Sequence, residues 1–235
     1  MMIGTILNVA AILVGGGLGL LLGTKLSERL KETVIAGLGL FTLVYGVSLF
    51  LKTENSLIVL GSVLVGVLLG EWLHIEDGLM HLGIWLEQRF NSNKSAGQNK
   101  NFIKGFVTAS LVFCIGPMAI LGSIQDGLTG NYNTLAVKSI LDGFGAMAFA
   151  SSLGVGVLFA SVMVLLYQGA ITLLAGTVQN VITVSMMNEL SATGGVILVA
   201  IAISSLLEIK KIRTGSFLPS LLLAPIIVWI ISLIK

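Results

Sequence analysis

Stretches of about 20 apolar residues recur from one end of this chain to the other, and as a helix each is long enough to cross about 30 Å of hydrocarbon. The chain has 13 basic and 11 acidic residues among 235, or 10% charged. A water-soluble domain carries roughly 25%, so this chain cannot wet the surface of a globule of its size. The expected fold class is all-α, a polytopic transmembrane helical bundle of about eight spans. Eight spans of about 20 residues occupy about 160 positions, which leaves no room for a second, soluble domain. A net charge of +2 provides no basic face for phosphate binding, so nucleic acid is not an expected partner. The one cysteine, Cys114, lies in an apolar run and excludes a disulfide framework or a cysteine-based metal site. No basic residue precedes the first apolar run, which reads as a retained helix rather than a cleaved signal.

The apolar runs place spans at Ile3–Gly23, Thr33–Leu51 and Ser56–Leu73. Glu76–Phe90 follows, with Leu79, Leu82, Trp85, Leu86 and Phe90 at helical spacing, as in a helix lying in the membrane interface. Asn91–Asn101 is polar and linker-like, so residues 1–90 form one part of a single membrane domain, 91–101 a linker and 102–235 the rest. A fourth span is expected at Phe102–Ser123. The 42 residues from Leu135 to Gly176 hold two charges, Lys138 and Asp142. As one helix they would extend about 63 Å, so they are split at Ser151–Gly156 into spans five and six. Spans seven and eight are expected at Thr193–Ile209 and Phe217–Ile234.

Loop charge supports the split. Lys and Arg collect in cytoplasmic loops. Lys25, Arg29 and Lys31 follow the first span, Arg89, Lys94, Lys100 and Lys104 follow the third, and Lys210, Lys211 and Arg213 follow the seventh, while Thr177–Ala192 has no basic residue. Eight crossings put all three clusters inside and both termini outside; seven crossings would move the last cluster out. FLKTENSLIVLGSVLVG also bears a weak likeness to EIKKIRTGSFLPSLLLAP. A repeat of spans 1–3 as spans 6–8 would be inverted, as in many secondary transporters.

Glycine accounts for 29 residues. Gly15, Gly19 and Gly23 form one small-residue ladder and Ser62, Gly66 and Gly70 another. Such ladders let helix backbones approach closely, either within the protomer or in a homo-oligomer. Pro117, between Gly116 and Gly122, predicts a break in the fourth span.

The candidate site residues are those whose placement in a membrane is costly. Asp126 ends the fourth span. Lys138 and Asp142, one turn apart on the fifth, share a face, as an ion pair or as part of a site. Gln125, Gln168 and Asn8 add polar groups. Glu71 and His74 also share a face near Trp72, with His81 and Trp85 beyond, but two local ligands do not make a metal site and interface anchoring fits better. Scattered methionine reads as core filler. No nucleophile elbow, H-E-x-x-H or phosphate-binding loop is present, so no enzyme activity, metal or cofactor is expected.

The runs FCIGPMAILGSIQDGLTG, AVKSILDGFGAMAFASSLGVGV, YQGAITLLAG and ELSATGGVILVAIAISSLLEIKKIRTGSFLPSLLLAP resemble an uncharacterised prokaryotic membrane protein family that includes YdfK and YqgA. IGTILNVAAILVGGGLGLLLG and LLGEWLHIEDG extend the likeness to the first half. The resemblance implies a multi-pass protein of a prokaryotic plasma membrane and implies no substrate. The expected function is passage of a small solute or ion across the bilayer. Its site would lie among spans four to six, with Asp126 and Asp142 as cation or proton ligands, Lys138 tuning their charge, and Gln125 and Gln168 beside them. The competing reading is a non-transporting assembly or sensor protein.

Overall fold

A computed structural model describes residues 2–90 and 99–234. Among these residues there are eleven α-helices and no strand: α1 (Ile3–Gly23), α2 (Glu28–Phe50), α3 (Ser56–Trp72), α4 (Ile75–Phe90), α5 (Asn99–Cys114), α6 (Pro117–Thr129), α7 (Asn133–Leu153), α8 (Gly156–Leu173), α9 (Ala175–Val181), α10 (Val184–Ile201) and α11 (Leu218–Ile234). A π turn, Ala202–Leu206, prolongs α10, and a 3₁₀ turn, Thr214–Phe217, precedes α11. Five helical segments are long and apolar enough to cross a membrane: α1, α2, α8, α10 with its π turn, and Thr214–Leu233. Two bent pairs, α3 with α4 at 57° and α5 with α6 at 62°, raise the count to as many as seven if each pair is one span. The helix that falls short is α7, which carries Lys138 and Asp142.

Both expected interruptions are present. Helix α5 stops at Cys114 and α6 starts at Pro117. Gly116 between them takes φ 152°, a value closed to most side chains, and proline fits the first turn because the N–H it lacks would be unsatisfied there. Gly154, at φ 82°, separates α7 from α8. Other boundaries differ from the expectation. The seventh span begins at Val184 rather than Thr193, because Thr183 caps α10 by accepting from the Met186 N–H. The second begins at Glu28 rather than Thr33, with Glu28 and Lys31 paired along the extra turn. Of the linker expected at 91–101, residues 91–98 lie outside the described residues and 99–101 open α5.

The chain folds into two compact units that interleave in sequence rather than dividing at the linker: residues 1–38 with 81–181, and residues 39–80 with 182–235. In the first unit α1 lies parallel to α7, with Gly15, Gly19 and Gly23 seated in turn on the backbone carbonyls of Gly143, Met147 and Ser151. Helix α8 runs antiparallel to α1, placing Leu158 at Gly16 and Thr172 at Thr5. Gly156 of α8 abuts the Phe102 carbonyl of α5. Beside it Leu86, Phe102 and Phe106 form a buried apolar cluster, to which Phe159 adds a ring 5.3 Å from that of Phe102.

In the second unit α3 and α11 are antiparallel, with Gly66 against Ser220 and Gly70 against Ser216. Helices α2 and α10 are antiparallel as well, with Gly46 facing Gly195 and Gly39 facing Leu207. Both glycine ladders are thus covered from within the same chain. Of the two uses expected of Gly15, Gly19 and Gly23, and of Gly66 and Gly70, the structure displays the first, packing within the protomer. Close backbone approach needs a neighbour, and here the neighbour is internal.

Candidate functional site

The first two turns of α1 gather polar groups from three other helices of the first unit. The Gly4 N–H donates to Asp126 Oδ2 of α6 at 2.9 Å, and the Thr5 hydroxyl meets that of Thr172 on α8 at 3.5 Å. Asn8 Nδ2 donates to Asp142 Oδ2 of α7 at 2.9 Å, and the same carboxylate oxygen accepts from Lys138 Nζ. Asp126, Thr5, Asn8 and Gln168 have no exposed surface; Lys138 and Asp142 are 6% and 8% exposed.

Local sequence explains the approach of these elements. Gly4 and Gly122 both lie against Leu135, so α1, α6 and α7 meet there. Gly127, next to Asp126, abuts the backbone of Thr172, which brings α6 onto α8. Gln168 precedes Thr172 by one turn on the same buried face, and the antiparallel register puts it level with Asn8. Ser123 precedes Asp126 by three residues and is equally buried. Phe113, near the end of α5, touches Gly145, three residues after Asp142, so the break between α5 and α6 lies beside the ion-paired turn of α7.

Several polar atoms in this cluster have no hydrogen-bond partner among the described residues: Asp126 Oδ1, Asn8 Oδ1, Ser123 Oγ, and both Gln168 Oε1 and Nε2. Away from water an unmet polar group costs about 1–3 kcal/mol or more, and native proteins leave few of them. Asn8 cannot turn its oxygen to safety, because its NH₂ must face the Asp142 carboxylate. Asp142 is neutralised by Lys138; Asp126 has no cationic partner among the described residues, only the Gly4 N–H at the start of α1.

Of the five site residues expected from sequence, Asp126, Lys138, Asp142 and Gln168 fall in this buried part of the first unit. Gln125 does not. It is exposed and accepts from the Thr134 hydroxyl, because consecutive helical residues point about 100° apart and only one of the pair can face the cluster. Glu71 and His74, weighed as metal ligands, belong to a charge network instead. Glu71 accepts from Arg213 and Ser216, while Asp77 pairs with both Arg213 and His74.

The sequence matches, over residues 3–229, the family described as protein of unknown function (DUF554). The chain belongs to that family. Over 224 residues it is 34% identical to the uncharacterised protein YqgA of Escherichia coli, covering 95% of each chain. Over 234 residues it is 29% identical to the uncharacterised membrane protein YdfK of Bacillus subtilis, covering 98% of this chain and 97% of that one. No solved structure matches. With its apolar helices, this DUF554 chain is a membrane protein of an uncharacterised family.

One buried acid of this DUF554 chain escapes sequence reading. Glu189 of α10, only 1% exposed, receives the Thr53 hydroxyl at 2.7 Å and the N–H groups of Glu54 and Asn55 at 2.7 and 2.9 Å. Ser185 and Asn188 donate in return to Glu54 and hold its carboxyl below the usual range. The turn between α2 and α3 is thereby tied to the start of α10 within the second unit. Glu189 stands 136 residues from Thr53, so no local spacing announces the contact. Its partners satisfy both oxygens, which makes it a structural tie rather than a site.

Proposed function

We propose that this protein passes a small solute or ion across the prokaryotic plasma membrane by way of the polar cluster at the start of α1, without covalent chemistry. The observation that carries the reading is the set of buried, unmet polar atoms on Asp126, Asn8, Ser123 and Gln168. A protein that only had to fold would lower its free energy by replacing them with apolar side chains, so their retention fits a site that a ligand completes. The neighbouring break between α5 and α6 adds to the argument, since interrupted helices often border transport sites. So does the antiparallel pairing of α1 with α8, α2 with α10 and α3 with α11, the pairing expected of an inverted repeat. The competing reading, a non-transporting assembly or sensor protein, draws on the paired charge of Lys138 and Asp142; it leaves Asp126 unexplained.

Access to the cluster separates the two readings without knowledge of the substrate. Cys114 is the one cysteine, so Cys114→Ser gives a clean background. Ser123→Cys in that background is expected to react, in intact membranes, with Ag⁺, a thiol-reactive cation of ionic size. Ala160→Cys, equally buried but not among the unmet polar groups, should stay unlabelled. A Ser123→Cys protein as inert as Ala160→Cys would overturn the transport reading.

The same reading places eight crossings in the membrane, with α7 as one of them and both termini outside. Two contacts support it: Ser152 donates to the Lys31 carbonyl, as two inside loops would allow, and Glu189 joins the turn after α2, as two outside loops would. A C-terminal alkaline phosphatase fusion is expected to be active and a C-terminal green fluorescent fusion dark. The reverse pattern would put the C-terminus inside and overturn this topology.

A further inference from the structure

The unmet atoms of the cluster differ in kind. Asp126 Oδ1, Asn8 Oδ1 and Gln168 Oε1 are acceptors only, the Ser123 hydroxyl can accept, and Gln168 Nε2 is the sole obligatory donor. An anion would meet a carboxylate here. A hard cation would find the oxygen ligands it prefers. The charge count narrows the choice: two buried carboxylates, Asp126 and Asp142, stand against one ammonium, Lys138, leaving a single negative charge to balance. That favours a monovalent ion over a divalent one. The helices also close around these atoms at backbone distance. A Cβ on Gly122 would come within 2.8 Å of Leu135, and one on Gly127 within 2.5 Å of Ala175 Cβ, so α6 is held close to its neighbours on either side of Ser123 and Asp126, which favours a small occupant.

We infer that the cluster is a binding site for a dehydrated alkali-metal cation, with the Asp126 carboxylate as its charged ligand and the oxygens of Asn8, Gln168 and Ser123 completing the shell. The Lys138–Asp142 pair is then a positioning device. By taking Asn8 Nδ2, Asp142 turns Asn8 Oδ1 toward the ion, and Lys138 keeps Asp142 from competing for it. A bare proton on Asp126 would not explain the amide oxygens, which have no use for one.

This inference rests on the transport reading, yet it can fail while that reading survives. The full-length protein, purified in choline chloride, is titrated with LiCl, NaCl and KCl at constant ionic strength, and its thermal unfolding midpoint is followed. At least one alkali cation is expected to raise the midpoint saturably, as a ligand of the folded state must. Asp126→Asn, similar in shape and uncharged, is expected to raise the half-saturating concentration by about ten-fold or more while melting near the parent in choline. Ser123→Ala, a milder change, should raise it by a smaller factor. No alkali-specific shift in the parent, or a shift that survives unchanged in both variants, would overturn the cation site. If Ser123→Cys were still labelled in that case, a polar solute site would stand without its ion; if it were inert, both readings would fall.

Discussion

Lys138→Met is expected to destabilise the protein by about 3–5 kcal/mol, the usual cost of removing one partner of a buried ion pair. The variant keeps the length and apolar stem of the lysine and deletes only its charge. Asp142 would then hold a carboxylate at 8% exposure with the Asn8 amide as its one remaining donor. In thermal unfolding in detergent this should appear as a sharply lower midpoint and poor yield of monodisperse protein. The double variant Lys138→Met, Asp142→Asn removes the stranded charge and is expected to recover most of the loss, since a neutral replacement of a buried pair is often harmless. It should not recover alkali-cation binding, because a neutral amide at position 142 no longer dictates how Asn8 is turned. A Lys138→Met protein that melts like the parent would mean that the pair does not hold α7 in place. Recovery of both stability and cation binding by the double variant would remove the positioning role of Asp142.

Gly19→Val is expected to be comparably damaging, at about 3 kcal/mol or more, toward the upper end for overpacking. The reason is that the obstacle is backbone. A Cβ at Gly19 would strike the Met147 carbonyl, and no side-chain rotamer can move out of the way, so α1 would have to withdraw from α7 along its length. Gly17→Val is the internal control. It lies on the same helix, two residues away, and a Cβ there meets nothing within 4 Å, so both substitutions carry the same change in helix propensity. The difference between their unfolding midpoints isolates the contact. Equal midpoints would show that the glycine ladder does not hold the two helices together.

What the sequence made legible follows from how far apart the interacting residues lie. The helices at α1 and α3, the break at Pro117 and the turn at Gly154 are written in local apolar runs and in glycine and proline chemistry. The Lys138–Asp142 pair could be read because its members sit one turn apart. The small-residue spacing of Gly15, Gly19 and Gly23 announced a close approach but could not say to what, since the partner carbonyls lie 128 residues further on. Asn8 was visible as a polar residue in an apolar span, while its task depends on Asp142, 134 residues away. Ser123, Thr5 and Thr172 carry no charge to mark them. Gln125 and Asp126 read alike because they adjoin, but helical geometry turns them to different sides. Glu189 reads as loop because apolarity sets in only after it; the cap at Thr183, one hydroxyl on one N–H, is too slight a signal in the sequence to place the helix start before it.

The rungs between α1 and α7 are evenly spaced and chemically alike: a bare Cα seated on a carbonyl, repeated every fourth residue. Taken by itself, a contact of that kind would be degenerate along its axis. Sliding α1 toward the far end of α7 by one rung, about 6 Å at 1.5 Å per residue, would reseat Gly15 on the Met147 carbonyl and Gly19 on that of Ser151. It would also carry Ala11, with its Cβ, onto the Gly143 carbonyl, a seat that only a bare Cα fits. The ladder is therefore keyed at its end: three identical rungs admit a step, and the methyl of one alanine forbids it.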